Sequence, residues 1–467
     1  MKPNYLKLLC LTLLLITGGS GLSAAVDYLC FTAEEAGSVR LSVTGSITAD
    51  ILTSKNGVDW SEYTFGTNVA LASGEKVCFK GNYRGGVRGY ATFVMSGKIK
   101  ASGNVMTLTD GDNPTLSLEG KEFCFYRLFF GCTGLTAAPR LPATTLTDCC
   151  YYSMFSGCTN LREAPELPAK TLVVSCYAGM FEGCTKLTEP PKLPATTLAD
   201  YCYYYMFSGC TKLRATPELS ATTLALSCYE CMFQGCTGLN RACDLPAPIL
   251  TERCYSTMFH GCTGLTEAPG LPARSLAKNC YEYMFSGCKN LTKAPELPAT
   301  TLSRSCYLHM FSGCRNLTKA PALPATTLAD FCYSAMFSNC INLKEAPALP
   351  ATTLTYYCYS GMFSGCRALT DAPVLPAKTL ADKCYLGMFH GCSRLNYLKV
   401  HFSSWTEADY ATLNWVNNVS PDGTFVGPEG LNISIGDGSH IPEGWTVTLD
   451  EEISPEMNNS PATNEAV

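Results

Sequence analysis

Twenty-eight cysteines in 467 residues are the part of this chain best equipped for chemistry. Twenty-two of them recur as pairs, eight residues apart, beginning at Cys124, Cys150, Cys176, Cys202, Cys228, Cys254, Cys280, Cys306, Cys332, Cys358 and Cys384. Thiols at regular spacing can hold a metal, staple a fold through disulfides, or act as nucleophiles. Zinc sites need clustered C-x-x-C or histidine partners, and the sequence has neither. Its five histidines, His260, His309, His390, His401 and His440, are scattered, and the stray Cys149, Cys231 and Cys243 form no metal pattern. Eight residues of helix separate the members of a pair by about 12 Å, beyond disulfide reach. Equivalent cysteines of stacked units would approach to about 4.8 Å, within range. Eleven units is an odd number, however, and pairing would make identical units inequivalent. The preferred reading is two ladders of small buried thiols acting as hydrophobes. Disulfide stapling stays open, because export favours oxidation.

Other chemistry is sparse. No G-x-S-x-G, H-E-x-x-H or phosphate loop occurs, and the Gly-rich "GNYRGGVRG" (82–89 with its preceding Gly81) opens no helix pattern. No enzyme activity, metal or cofactor is expected. A column of tyrosines (Tyr151, Tyr177, Tyr203 and their equivalents) offers a stacking platform for sugars or, as the preferred reading, core packing. Net charge is −5 with 16% charged residues, which gives no reason to expect a nucleic-acid partner. Lys2 and Lys7, the apolar run 8–17 and the small residues Ser23 and Ala25 read as an export signal over residues 1–25. No later apolar run reaches membrane length, so the mature chain is expected not to span a bilayer.

The elements that carry the cysteines come from a repeat. C-Y-x-x-M-F-x-G-C recurs eleven times at a 26-residue step with no insertion, within the 20–29-residue range of leucine-rich repeats. At 100° per residue, its five apolar positions fall on one arc of about 140°, which predicts a two-turn helix. Asp148, Ser175, Asp200, Ser227, Asn279, Ser305, Asp330 and Asp382 stand where N-caps belong. The Gly near the end of the block is expected just past the helix in a left-handed conformation. Ten units have Gly there and one has Asn339, the residue that copes best after Gly. Positive φ is therefore predicted at Gly157, Gly287 and Asn339.

Between these blocks runs a segment such as "NLTKAPELPATTLSRS" (290–305), with leucines at 291, 297 and 302. Two prolines in most copies limit it to a short strand. Leu297 and its equivalents should point inward. The residue before each is free to vary, and should point out.

The spacing L-x-x-x-P-x-L-P, then Leu, then C-Y-x-x-M-F-x-G-C-x-x-L, resembles the BspA-like leucine-rich-repeat surface proteins of gut and oral anaerobic bacteria. "YLCFTAEEAGS" and "GEKVCFKGN" resemble that family's N-terminal β module, and "NWVNNVSPDGTF" and "IPEGWTV" its closing segment. The resemblance implies a secreted or surface-displayed interaction protein, in some members an adhesin. It carries over no catalytic residues. The fifth copy, "RACDLPAPIL" (241–250), departs from the pattern by lacking the first Pro and the Thr pair, and a local bend is expected there.

The expected architecture is an α+β solenoid of leucine-rich repeats, eleven 26-residue units of one short strand and one short helix, with an N-terminal β-sandwich cap. Its parts are a signal peptide (1–25), a β-sandwich (26–120), the solenoid (121–398), a C-terminal cap (399–450) with a short helix after Thr406, and a disordered tail (451–467). Cys30 and Cys78 are placed to pair across the sandwich. A solenoid binds through its concave face, which selects Glu166, Lys192, Glu218, Asp244, Glu296, Ala322, Ala348 and Val374 as candidate contacts. The function expected is protein-protein or adhesive interaction at the bacterial cell surface, outside the outer membrane, or in the surrounding medium. The alternative is a glycan-binding accessory of surface polysaccharide uptake that uses the β-sandwich.

Overall fold

The computed structural model describes residues 26–450, apart from Thr48, Val87 and Glu407. The expected signal peptide and C-terminal tail lie outside the described residues.

The N-terminal part is built from alternating sequence. In β1 (Leu29–Ala33) every second residue is buried, and in β2 (Gly37–Gly45) Val39 and Leu41 face inward. The chain continues through β3 (Ile51–Ser54), β4 (Ser61–Glu62), β5 (Val69–Leu71), β6 (Lys76–Gly81), β7 (Gly89–Ser96) and β8 (Ile99–Ser102) to the single-turn α1 (Thr107–Asp110). Strands β5-β2-β7 form one antiparallel sheet. The other runs β4-β3-β6-β1-β8 and takes in β9 (Leu135–Ala137), the first strand of the repeats, parallel to β8. Phe31 and Phe79 of this larger sheet meet Phe93 of the smaller at ring-centroid distances of 4.6 and 5.3 Å.

Beyond β9 the units stack, but the C-Y-x-x-M-F-x-G-C block is not a helix. Each copy is a chain of tight turns. In the second unit the N–H groups of Cys150, Tyr152, Met154, Ser156 and Cys158 donate to carbonyls three residues back. Those of Tyr151, Ser153, Phe155 and Gly157 donate instead to the carbonyls of Cys176, Ala178, Met180 and Glu182 in the next unit, at 2.7–3.1 Å. Every fourth residue turns left-handed: φ is 53° at Cys149, 49° at Ser153 and 76° at Gly157. The expected positive φ holds at Gly157, at Gly287 (75°) and at Asn339 (59°), as the third member of this series rather than as a helix cap.

Two physical reasons displace the helix. Buried positions 1, 2, 5, 6 and 9 of the block fit a period of four as well as one of 3.6, and nine residues cannot separate the two. An isolated two-turn helix is also marginal, whereas the turns send half of their donors into a neighbour that repeats the same acceptors. The proposed N-caps act accordingly. Asp148, Asp200 and Asp382 accept N–H bonds from Val174, Leu226 and Asp409 of the following layer, at 2.9–3.1 Å. Ser175, Ser227, Asn279 and Ser305 are themselves left-handed residues.

The proline-containing segment also falls short of a strand in most units. Parallel contact between neighbours is by single bridges, such as Glu163↔Glu189, Thr171↔Thr197, Glu267↔Lys293 and Lys319↔Glu345. The prolines offer no N–H to extend them.

The core is a set of columns. Phe285, Phe311 and Phe337 are fully buried, with successive ring centroids 5.6 Å apart and nearly parallel planes. The tyrosines form a second stacked column from Tyr151 to Tyr385, equally buried. Phe93 of the β-domain stacks on Phe129 at 5.4 Å and so closes the phenylalanine column at its N-terminal end.

At the other end, residues 409–418 make one more layer of turns rather than the expected helix, with positive φ at Tyr410, Asn414 and Asn418. Tyr385, Gly387 and Phe389 donate to the carbonyls of Ala411, Leu413 and Trp415, so this layer is one residue longer than a repeat. The indole of Trp415 covers both columns, 6.3 Å from Tyr385 and 6.4 Å from Phe389. Strands β10 (Tyr397–Lys399), β11 (Thr424–Pro428) and β12 (Thr446–Asp450) continue the parallel sheet beside it.

Candidate binding face

The motif P-x-L-P positions one exposed residue per unit. Its Leu is buried in each of the ten copies from Leu141 to Leu375. The preceding residue is exposed in each: Arg140, Glu166, Lys192, Glu218, Asp244, Gly270, Glu296, Ala322, Ala348 and Val374. The alternation follows from extended backbone held between rigid prolines. All eight predicted contact residues thus lie in one row, and Val374 is 45% exposed.

Proline side chains rail this row on both sides in most units, with Ser220 and Cys243 at two of the proline slots, and leave grooves along it. One of about 400 Å³ holds Arg140 and Glu166 between Pro139, Pro142, Pro165 and Pro168. A second, of about 580 Å³, holds Lys192 and Glu218, and a third, of about 550 Å³, Glu218 and Asp244. Toward the C-terminal end the row turns apolar at Ala322, Ala348 and Val374. None of the row's charged side chains from Glu166 to Glu296 has an opposite charge within 4 Å among the described residues.

The irregular fifth copy does not bend away. Ala215 and Arg241 still bridge, and Leu245 N–H still reaches the Gly270 carbonyl. Where other units have Pro, Cys243 has an N–H, and Thr216 Oγ1 accepts it at 2.7 Å. Thr216 is itself a departure, at a slot that is Ala in most units, so the two irregularities satisfy each other.

The thiols are structural. Cys158, Cys184, Cys210 and their equivalents through Cys392 donate Sγ–H to the carbonyl of the preceding unit's Phe, at 3.0–3.2 Å, and Cys132 donates to the carbonyl of Phe93 in β7, at 2.8 Å. Burial pushes Cys132, Cys184, Cys236 and Cys288 up to about 12. They are protonated donors, and both ladders are free thiols. Cys30 and Cys78 form a disulfide between neighbouring strands of one sheet, β1 and β6, rather than between the two sheets. Of the histidines, burial lowers His260, His309 and His401, and His309 stacks on Tyr283 at 4.6 Å. Among the described residues no cluster of three His, Cys, Asp or Glu is arranged to hold a metal. No helix among them is long and apolar enough to cross a membrane.

Sequence reasoning passed over two features. The sequence places Trp415 in a helix of the closing segment, 26 residues after Phe389, and does not assign it to cover the aromatic columns. The cations that gather where the β-domain meets the stack come from segments far apart in sequence and gave no local signal.

The family described as "BspA type Leucine rich repeat region (6 copies)" matches residues 127–266 and 252–396. Neither the curated proteins nor the solved structures gave a match. The family match spans more than half of the chain, from just after the first cysteine of the first unit to the last unit, and the chain belongs to the BspA-type leucine-rich-repeat family.

Proposed function

We propose that this chain is an exported surface protein that binds a protein partner along the railed row from Glu166 to Val374, and that its role is binding rather than catalysis. The observation that carries the reading is the contrast within each unit. Leu, Tyr, Met, Phe and Cys recur almost without change and are buried, while the exposed residue before the motif's Leu varies along the stack among Arg, Glu, Lys, Asp, Gly, Ala and Val. Stacking needs the first set and makes no demand on the second. The buried thiols, held protonated, are unsuited to act as nucleophiles, which supports a non-catalytic role. Residues 1–25 have the composition of an export signal and support the surface location.

The apolar end of the row is the better anchor for a protein, because interface hot spots are desolvated at their centre. Pull-down with the intact mature chain identifies the partner. Ala348→Asp together with Val374→Asp is expected to weaken its binding at least about tenfold, with the thermal transition unchanged. Undiminished binding by that folded variant would remove the C-terminal end of the row from the interface.

A further inference from the structure

The surface opens into a cleft of about 300 Å³ where the larger sheet of the β-domain runs into the stack, lined by Lys98, Lys100, Arg162 and Lys186 with Glu34 and Glu163. The end of the larger sheet and the next two units of the stack build it. Lys98 immediately precedes β8, Lys100 lies within it, and β9 supplies Thr136. Arg162 precedes Glu163, whose bridge partner Glu189 follows Lys186 by three residues.

The charges are poorly matched. Lys98 Nζ lies 3.0 Å from Glu35 Oε2. Lys100, Arg162 and Lys186 have no carboxylate within 4 Å among the described residues. Lys186 Nζ is turned instead to the neutral Asn160 Oδ1, at 2.5 Å. Four cations against the two carboxylates of Glu34 and Glu163 leave the cleft with an excess of positive charge and a raised potential, in a chain whose net charge is −5.

We propose that this cleft binds the sulfate or carboxylate groups of a linear acidic glycan. Its cations are spread over adjacent segments, about 4.8 Å per step, so they run along the stack as charges run along a polyanion. The Arg162 guanidinium can clamp a sulfate or carboxylate through two N–H donors. Thr136, Asn160, Glu34 and Glu163 supply donors and acceptors for sugar hydroxyls. An acidic protein is the poorer fit. The lining contains no aromatic residue and no apolar side chain larger than Ala137, so it lacks the anchor pockets that hold protein partners. The cleft shares no lining residue with the grooves of the railed row, so variants can address its ligand and the row's partner separately.

The test uses the intact mature chain and four probes: heparin for sulfate, polygalacturonate for carboxylate, neutral dextran and polyglutamate. The expected result is binding to one or both acidic glycans that weakens as salt is raised, with dextran not bound. Preference between the two acidic glycans names the anion, and either preference supports the site. Lys100→Gln, Arg162→Gln and Lys186→Gln combined should reduce that binding at least about tenfold. Lys319→Gln with Lys344→Gln, far along the stack, should leave it unchanged. On the unaltered protein, bound glycan should also shield Lys100 and Lys186 from amine acetylation, read by mass spectrometry, which keeps the question open to test if the triple variant fails to fold. Equal binding by a folded triple variant, unshielded lysines, equal binding of dextran, or tighter binding of polyglutamate than of either glycan would each overturn the proposal.

Discussion

Asn339 lies directly over Gly365: a Cβ added to Gly365 would come 2.6 Å from Asn339 Oδ1. The equivalent Cβ at Gly313, one unit behind Asn339, would meet only Gly287 backbone at 3.8 Å, an ordinary contact. The single Asn in the glycine column is tolerated at its own position by its ease in the left-handed region, and by its neighbour through that neighbour's missing side chain.

Gly365→Ala should therefore destabilise more than Gly313→Ala. The left-handed strain of about 1–2 kcal/mol is common to both, and only Gly365→Ala adds the clash. In an Asn339→Gly background the difference should vanish. Denaturant unfolding of the four variants checks this, and equal losses at the two glycines would show that the Asn339 side chain yields freely.

The thiol ladders make stability sensitive to alkali, and the sign is fixed. Folded Cys132, Cys184, Cys236 and Cys288 keep their protons to about pH 12, whereas an unfolded thiol releases its proton near about pH 8.5. Above that value the unfolded chain holds fewer protons, so it is favoured. Stability should be intact below about pH 8.5 and fall as pH rises toward 12, by on the order of 1 kcal/mol per pH unit for each such thiol. Thermal transitions measured from pH 7 to 11 check the slope.

The described residues hold twenty-five free cysteines and one disulfide. Native protein should react slowly with a thiol reagent, since the ladder thiols are buried and protonated. After denaturation without reductant all twenty-five should react at once. Recovery of fewer than about a third would mean that equivalent cysteines of neighbouring units had paired instead.

Thr216 and Cys243 should be coupled. Thr216→Ala leaves the Cys243 N–H without its acceptor and should cost about 1 kcal/mol. In a Cys243→Pro background, where no N–H exists, the same change should cost much less. A double-mutant cycle reads the coupling, and strict additivity would show that solvent replaces the Thr216 hydroxyl without loss.

Trp415→Ala opens the C-terminal end of both aromatic columns and should cost about 3–5 kcal/mol. Repeat stacks lose structure from exposed ends, so amide exchange should speed up first around Tyr385 and Phe389 and least around Phe207. Uniform loss of protection along the chain would mean that the stack unfolds as one unit rather than from its end.

The 26-residue period, the buried columns, the outward row and the left-handed slot at Gly157, Gly287 and Asn339 were all legible in the sequence. Each depends on chemistry local to a residue: whether it is apolar, whether it has a Cβ, whether it carries an N–H. The sequence could not show that Cys150 to Cys158 would be turns. That choice depends on where Tyr151, Ser153 and Phe155 send their N–H groups, and their acceptors stand in the next unit. For the same reason the bond from Cys158 Sγ to the Phe129 carbonyl, the pairing of Thr216 with Cys243, the lid formed by Trp415 and the meeting of Lys100 with Arg162 and Lys186 were decided only by the tertiary structure. Each joins residues that no reading along one unit brings together.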